Sequence, residues 1–214
     1  MRIASRYDLM NRLMTFGQDQ RWRREVIRRA APAPGAHFLD LGTGTGDLAC
    51  TALQQSPAAR VTAVDFTFEM LRLARRRDTR ANWLAADASK LPFPPETFAA
   101  VTSGFLTRNV PDLTAALREQ RRVLRAGGRI VILETTRPQP GIFTPLIWFH
   151  LHVLIPLLAS MVAQASKDYQ YLCPSPENFL PAETLAIQMQ ESGFCEVGFR
   201  RLMFGTIAIH WGVK

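Results

Sequence analysis

An α/β fold, with a mostly parallel seven-stranded sheet and helices on both faces, is what this sequence predicts. Three observations carry the prediction. Between His37 and Glu134, short apolar runs alternate with stretches of helical period. The runs are continuously apolar rather than alternating, as in parallel strands covered on both faces. The first of them ends in a glycine-rich loop that opens a helix, the connection expected of a βαβ unit.

The elements follow in order. Residues 7–17 (YDLMNRLMTFG) and 20–30 (QRWRREVIRRA) read as helix and make a helical cover over 1–30; Pro32, Pro34 and Gly35 end it. HFLDLG (37–42) is the first strand and GDLACTALQQ (46–55) the helix after it. RVTAVD (60–65) is the second strand, FEMLRLARRR (68–77) a helix, NWLAAD (82–87) the third strand and FAAVTSGF (98–105) the fourth. LTAALREQRRVLR (113–125) is a helix with Leu113, Leu117 and Leu124 on one side, and Ala126-Gly127-Gly128 turns it into a fifth strand, RIVILE (129–134). Alternation resumes with a helix near 182–192 and strands near 195–202 and 205–212.

Between these parts the pattern breaks. From Pro138 to Ser166 there is no Asp, Glu, Lys or Arg. A stretch this long could span a bilayer, but Pro145, Pro156, His150 and His152 interrupt it. Residues 138–181 are therefore expected to form an apolar helical insertion, a lid over a substrate, within a single domain covering 1–214.

Composition sets the outer limits. The chain has 214 residues, 47% apolar and 21% charged, which excludes a disordered or collagen-like chain. The net charge is +8, from 26 basic and 18 acidic residues, and all the basic ones but Lys90, Lys167 and Lys214 are arginine. Charge speaks to solubility and non-specific partners rather than fold. Cys50, Cys173 and Cys195 form no CxxC pair, and the start MRIASRYDLMNRLM lacks the apolar core of a signal peptide. Reduced thiols in a cytoplasm are the expectation. The four histidines have no metal-ligand spacing with Cys or acids, so no metal is expected.

The chemistry-bearing signal is Leu39-Asp40-Leu41-Gly42-Thr43-Gly44-Thr45-Gly46-Asp47. Glycines between a strand and a helix allow a tight turn and close approach of a ligand to the backbone. Asp65 ends the second strand, where a carboxylate can accept two hydrogen bonds from a ribose diol. Asp87 ends the third strand, beside Ala88, and can hold an adenine amino group. Phe66 and Met70 next to Asp65, and Gly104 at the end of the fourth strand, are counted with this site. Alternate glycines differ from the GxGxxG dinucleotide form, and no second mononucleotide half follows, so NAD is the second choice of ligand.

The loop with its strand-end acids resembles the class I S-adenosylmethionine methyltransferases, whose fold is Rossmann-like. Further motifs resemble the ubiquinone/menaquinone biosynthesis C-methyltransferases (the UbiE/MenG family): Tyr7-Asp8-Leu9-Met10-Asn11, Leu91-Pro92-Phe93, Arg108-Asn109-Val110, Gly127-Gly128-Arg129, Leu133-Glu134, Tyr169-Gln170-Tyr171-Leu172 and His210-Trp211-Gly212. The match runs over nearly the whole chain. It departs at Gly104, where the family usually has Ser, and at Leu106-Thr107, where Gly-Leu or Gly-Ile is usual. The resemblance implies S-adenosyl-L-methionine as cofactor and a prenylated quinol as substrate, taken from a membrane surface by a peripheral protein. A homodimer is left open, and no nucleic-acid partner is expected.

Attack of an electron-rich ring carbon on a sulfonium methyl needs a reduced acceptor, and a nearby cation favours its phenolate. Arg108 is the candidate for that cation, and Asn109 for orienting the ring oxygen. Asp47 is placed on the methyl side of the loop, and Tyr7 is expected to close over the cofactor. Two rivals are weighed. A nucleic-acid methyltransferase has only the positive charge in its favour, because Ser103-Gly104-Phe105-Leu106 stands where base-methylating enzymes resemble Asn/Asp-Pro-Pro-aromatic. A non-catalytic cofactor-binding regulator would lack a working Arg108 or a substrate cavity.

Overall fold

In the computed structural model, residue 15, residues 17–31, 33–139 and 179–214, and the single positions Gly141, Pro145, Phe149, Val153 and Leu154 are described. Seven strands make one sheet: β1 (His37–Leu41), β2 (Arg60–Asp65), β3 (Asn82–Ala85), β4 (Phe98–Gly104), β5 (Leu124–Thr135), β6 (Cys195–Leu202) and β7 (Ile207–Val213). Their spatial order is β3-β2-β1-β4-β5-β7-β6. The first five strands run parallel, and β7 is antiparallel to both β5 and β6.

Among the described residues the α-helices are α1 (Asp19–Ala30), α2 (Asp47–Gln55), α3 (Phe68–Arg77), α4 (Leu113–Val123) and α5 (Ala182–Glu191). Helix α1 buries Trp22, Val26, Ile27 and Ala30, spaced to fall on one helical face. That face joins Ala49, Ala52 and Leu53 of α2 and the strand residues Phe38, Val61, Ala100 and Val131 in one apolar cluster. A second cluster unites Leu39, Leu41, Val64, Val101, Ile130 and Ile132 with Leu117 of α4 and Leu185 and Met189 of α5. Neighbouring residues of β1 thus point into different clusters, as the two-residue period of a strand demands. Each fully buried Leu, Ile or Phe contributes roughly 1.5–3 kcal/mol of transfer free energy.

Among the described residues the observed boundaries differ from the expected ones by more than one residue in three places. Helix α4 stops at Val123, and Leu124 already pairs with Phe98 as the start of β5; a bulge then shifts the register so that Ala100 pairs with Arg129. Gly127 lies in this bulge at φ 71, and a Cβ on Gly128 would meet the Arg125 carbonyl oxygen at 2.8 Å. Strand β3 ends at Ala85, so Asp87 lies beyond it in an isolated bridge to Lys90. Strand β7 begins at Ile207, after a short 3-10 turn over Met203–Gly205. Of the expected insertion, almost all of 140–178 lies outside the described residues, as do His150, His152 and residues 1–14.

Strand β1 is the topological switch point. The chain leaves it toward β2 and β3 on one side and returns to β4 on the other. Connections that part in this way leave a crevice at the carboxyl ends of the strands, where α/β sheets bind ligands.

Candidate active site

A cavity of about 940 Å³ occupies that crevice. Asp40, Gly42, Thr43, Gly44, Thr45, Asp47, Asp65, Phe66, Met70, Asp87, Ala88, Gly104, Arg108 and Asn109 all line it. Gly46 does not, and Tyr7 lies outside the described residues.

The loop after β1 is left-handed at Gly42 (φ 66), Gly44 (φ 55) and Gly46 (φ 87). The three glycines answer different needs. A Cβ on Gly42 would sit 2.7 Å from Leu106 Cδ1, and one on Gly46 would sit 2.6 Å from the Trp83 ring. At Gly44 nothing lies within 4 Å, so its backbone is open to the cavity. Two glycines therefore pack protein against protein, and the third leaves room for a ligand.

Strand-end acids surround the loop, and each has a distinct environment. Asp65 accepts the Gly44 N–H on Oδ2 and the Thr67 N–H on Oδ1, both at 2.8 Å. Each oxygen keeps acceptor capacity for a ligand hydroxyl. Phe66 beside it is 81% exposed, a flat apolar surface at the cavity. Asp87 accepts the Ser89 N–H at 2.7 Å.

Asp40 lies beneath the loop. It is fully buried, and its carboxylate accepts the Thr43 hydroxyl at 2.6 Å, the Ala49 N–H at 3.1 Å and the Thr102 hydroxyl at 3.0 Å. Burial pushes its pKa up to about 7, against the opposing pull of those donors. Asp40 ties the loop to α2 and β4 from beneath.

Asp47 lines the cavity and is held from two helices. Its Oδ2 lies 2.9 Å from Arg23 Nη2 of α1, and its Oδ1 lies 2.9 Å from Arg77 Nη2 of α3. Arg77 also donates to the Thr45 carbonyl at 3.1 Å, and Arg23 pairs with buried Asp19. Through these ion pairs Asp47 braces the loop against α1 and α3. The partners were missed because they lie on other helices, where no local spacing announces them.

The opposite wall begins at Phe105, which holds φ 57, uncommon for an aromatic residue, and donates its N–H to the Leu133 carbonyl at 2.7 Å. This kink leads into the 3-10 turn Thr107–Asn109. Arg108 lies with its guanidinium 5.3 Å from the Phe105 ring centroid. Its Nη1 donates to Thr135 Oγ1 at 3.1 Å and lies 3.4 Å from Glu134 Oε1. Asn109 donates to the Phe105 carbonyl at 3.1 Å, which leaves its amide oxygen as an acceptor. Glu134, named above only within a motif, is a buried carboxylate in this wall. An acid closing the apolar run RIVIL at the same sheet edge as Asp65 was the signal for it.

Among the described residues no helix is long and apolar enough to cross a membrane. No group of three His, Cys, Asp or Glu is placed to hold a metal ion among them.

A model of the ubiE/COQ5 methyltransferase family matches residues 1–214. The ubiquinone/menaquinone biosynthesis C-methyltransferase UbiE of Desulfotalea psychrophila is 47% identical over 99% of this chain and 87% of its own length. The demethylmenaquinone methyltransferase of Thermus thermophilus is 42% identical over 98% of this chain and 97% of its own. Among solved structures, a SAM dependent methyltransferase from Aquifex aeolicus superposes with a TM-score of 0.68 at 17% identity, covering 98% of this chain and 97% of that one. The [4+2]-cyclase SpnF superposes at 0.70 with 18% identity, covering 91% and 81%. The structural likeness concerns the fold alone, since a cyclase and a methyltransferase share it; chemistry has to be read from the site.

Proposed function

The chain belongs to the ubiE/COQ5 methyltransferase family, and from that premise we infer that it transfers the methyl group of S-adenosylmethionine to a ring carbon of a prenylated quinol, on the route to menaquinone or ubiquinone. One observation carries the reading. A single cavity joins a wall of glycine loop and strand-end carboxylates to a wall that presents a guanidinium.

The first wall fits the cofactor. Gly44 leaves open backbone, Asp65 has acceptor capacity for ribose hydroxyls, and Phe66 and Met70 offer apolar surface to an adenine. Asp87 and Ala88 close that end of the cavity. When bound, S-adenosylmethionine supplies an electrophilic methyl group on a sulfonium. The second wall acts on the acceptor. A quinone ring is electron-poor, so the nucleophile is the reduced quinol. The Arg108 guanidinium favours loss of the ring hydroxyl proton, which raises the electron density of the ring carbon. Asn109 offers its amide oxygen to orient the ring oxygen. Holding carbon and methyl in line supplies much of the remaining acceleration.

Residues 138–166 serve this reading as an apolar lid that admits the prenyl tail and docks reversibly on the inner face of the membrane. In support, that stretch is free of charged residues, and Phe149 and Val153 are exposed. The protein otherwise resides in the cytoplasm.

The test is to incubate protein, labelled S-adenosylmethionine and demethylated naphthoquinones and benzoquinones, each with and without dithionite. Label is expected in one lipid class, and only after reduction. Equal labelling of the oxidised lipid rejects the mechanism, and tight NAD binding without S-adenosylmethionine binding rejects the cofactor.

A further inference from the structure

Glu134 is 2% exposed at the carboxyl end of β5, and burying a carboxylate is costly unless donors surround it. Four neutral donors do so. Thr107 gives its N–H at 2.8 Å and its hydroxyl at 2.7 Å to Oε2; Thr135 gives its N–H at 2.9 Å and its hydroxyl at 3.1 Å to Oε1. The fifth partner, Arg108 Nη1, stands off at 3.4 Å and makes its closer contact to Thr135 Oγ1. An ion pair made for its own sake would be shorter and bidentate. Here the carboxylate grips both ends of a small structure. It holds the first residue of the turn that carries Arg108, and it orients the hydroxyl that receives one nitrogen of Arg108. Nη2 and Nε of Arg108 have no hydrogen-bond partner among the described residues, and Arg108, Thr135 and Glu134 all line the cavity.

We propose that Glu134 is a positioning residue for methyl transfer: through Thr107 and Thr135 it fixes one nitrogen of Arg108, so that the remaining face of the guanidinium is presented to the reacting ring oxygen. This rests on the role given to Arg108 above. Glu134 touches neither substrate nor cofactor in this role. A planar cation held by one nitrogen stabilises a phenolate only while its orientation is kept, and the buried carboxylate keeps it.

A double-mutant cycle on the full-length protein, with reduced lipid substrate, separates this role from plain structural support. Glu134→Gln should lower kcat about 10-fold or more, with KM for S-adenosylmethionine changed less than about 3-fold. In an Arg108→Ala background the same change should cost less than about 2-fold, because the group it acts through is gone. Losses that multiply in the double variant, or a wild-type kcat for Glu134→Gln, overturn the proposal. Full activity in Arg108→Ala alone would instead reject the reading of Arg108, a separate failure. If Glu134→Gln does not fold, Thr135→Val carries the same cycle, and Thr135→Ser, which keeps the hydroxyl, should restore the rate. Failure of Thr135→Ser to restore it counts against the proposal.

Discussion

Asp40 lies where water cannot reach it. Its folded pKa of about 7 lies above the ordinary value of 3.8, so the native state holds a proton that the unfolded chain has released. Its contribution is full below about pH 4 and falls as pH rises toward 7, on the order of 4 kcal/mol in all. His210 has the opposite sign. Burial drives its pKa down from 6.5 to about 4, with Nε2 2.9 Å from the Ala182 carbonyl oxygen. Its contribution is present above 6.5 and is lost as pH falls toward 4. The two slopes oppose each other over the shared window. Relative to wild type, Asp40→Asn should gain melting temperature as pH rises from 4 to 7, and His210→Gln should gain as pH falls from 6.5 to 4. Melts at three pH values decide, and parallel curves for all three proteins would refute both assignments. At the ligand itself, Asp65→Asn should weaken S-adenosylmethionine binding by about 1.5–3 kcal/mol, the worth of a hydrogen bond to a charged acceptor. Calorimetry on the folded variant measures it, and unchanged affinity would remove Asp65 from the site. That Asp65, Asp87 and Arg108 lie along one cavity was legible in the sequence because each follows an apolar run. The burial of Asp40 was not legible, since its position beneath the loop depends on Thr102 of a distant strand.

The elements meet at Asp47. Arg23 of α1 and Arg77 of α3 hold the first residue of α2, and Arg77 also holds the Thr45 carbonyl of the loop. The helical cover is thereby joined to the cofactor loop through one carboxylate. Arg23→Ala should weaken S-adenosylmethionine binding about 3–10-fold and leave kcat at saturation within about 3-fold, as loss of uniform binding requires. If Asp47→Asn instead collapses kcat at unchanged cofactor affinity, Asp47 is catalytic after all. Element boundaries were less legible than elements. Leu124 continues the apolar spacing of α4, so periodicity alone extends the helix through it. It is buried either way, and pairing with Phe98 makes it strand. The end of β3 was hidden likewise, because Ala86 is as apolar as the strand before it.

For the molecule as a whole, the alternation of strands and helices was legible because parallel strands need continuous apolar runs. The place of β7 was not, because nothing in the sequence near 207–213 states that it enters between β5 and β6. The apolar stretch bears on behaviour at a membrane. Vesicles containing anionic lipid should bind the protein reversibly and release it with salt, since each basic residue near such a surface contributes about 1 kcal/mol. Replacing Trp148 and Phe149 together with Ser should reduce turnover of a long-tailed quinol more than that of a tail-less analogue. Equal losses on both would make the stretch ordinary core. The order of the sheet also has a consequence for synthesis. A ribosome delivers β6 before β7, yet among the described residues β6 has no neighbour in the sheet except β7. While the last strand is still inside the ribosome, β6 and the outer edge of β5 both stand unpaired, and unpaired edges invite pairing with other chains. The sheet therefore stays open until β7 enters it, and a chain stalled before residue 207 should aggregate more readily than one carrying β7.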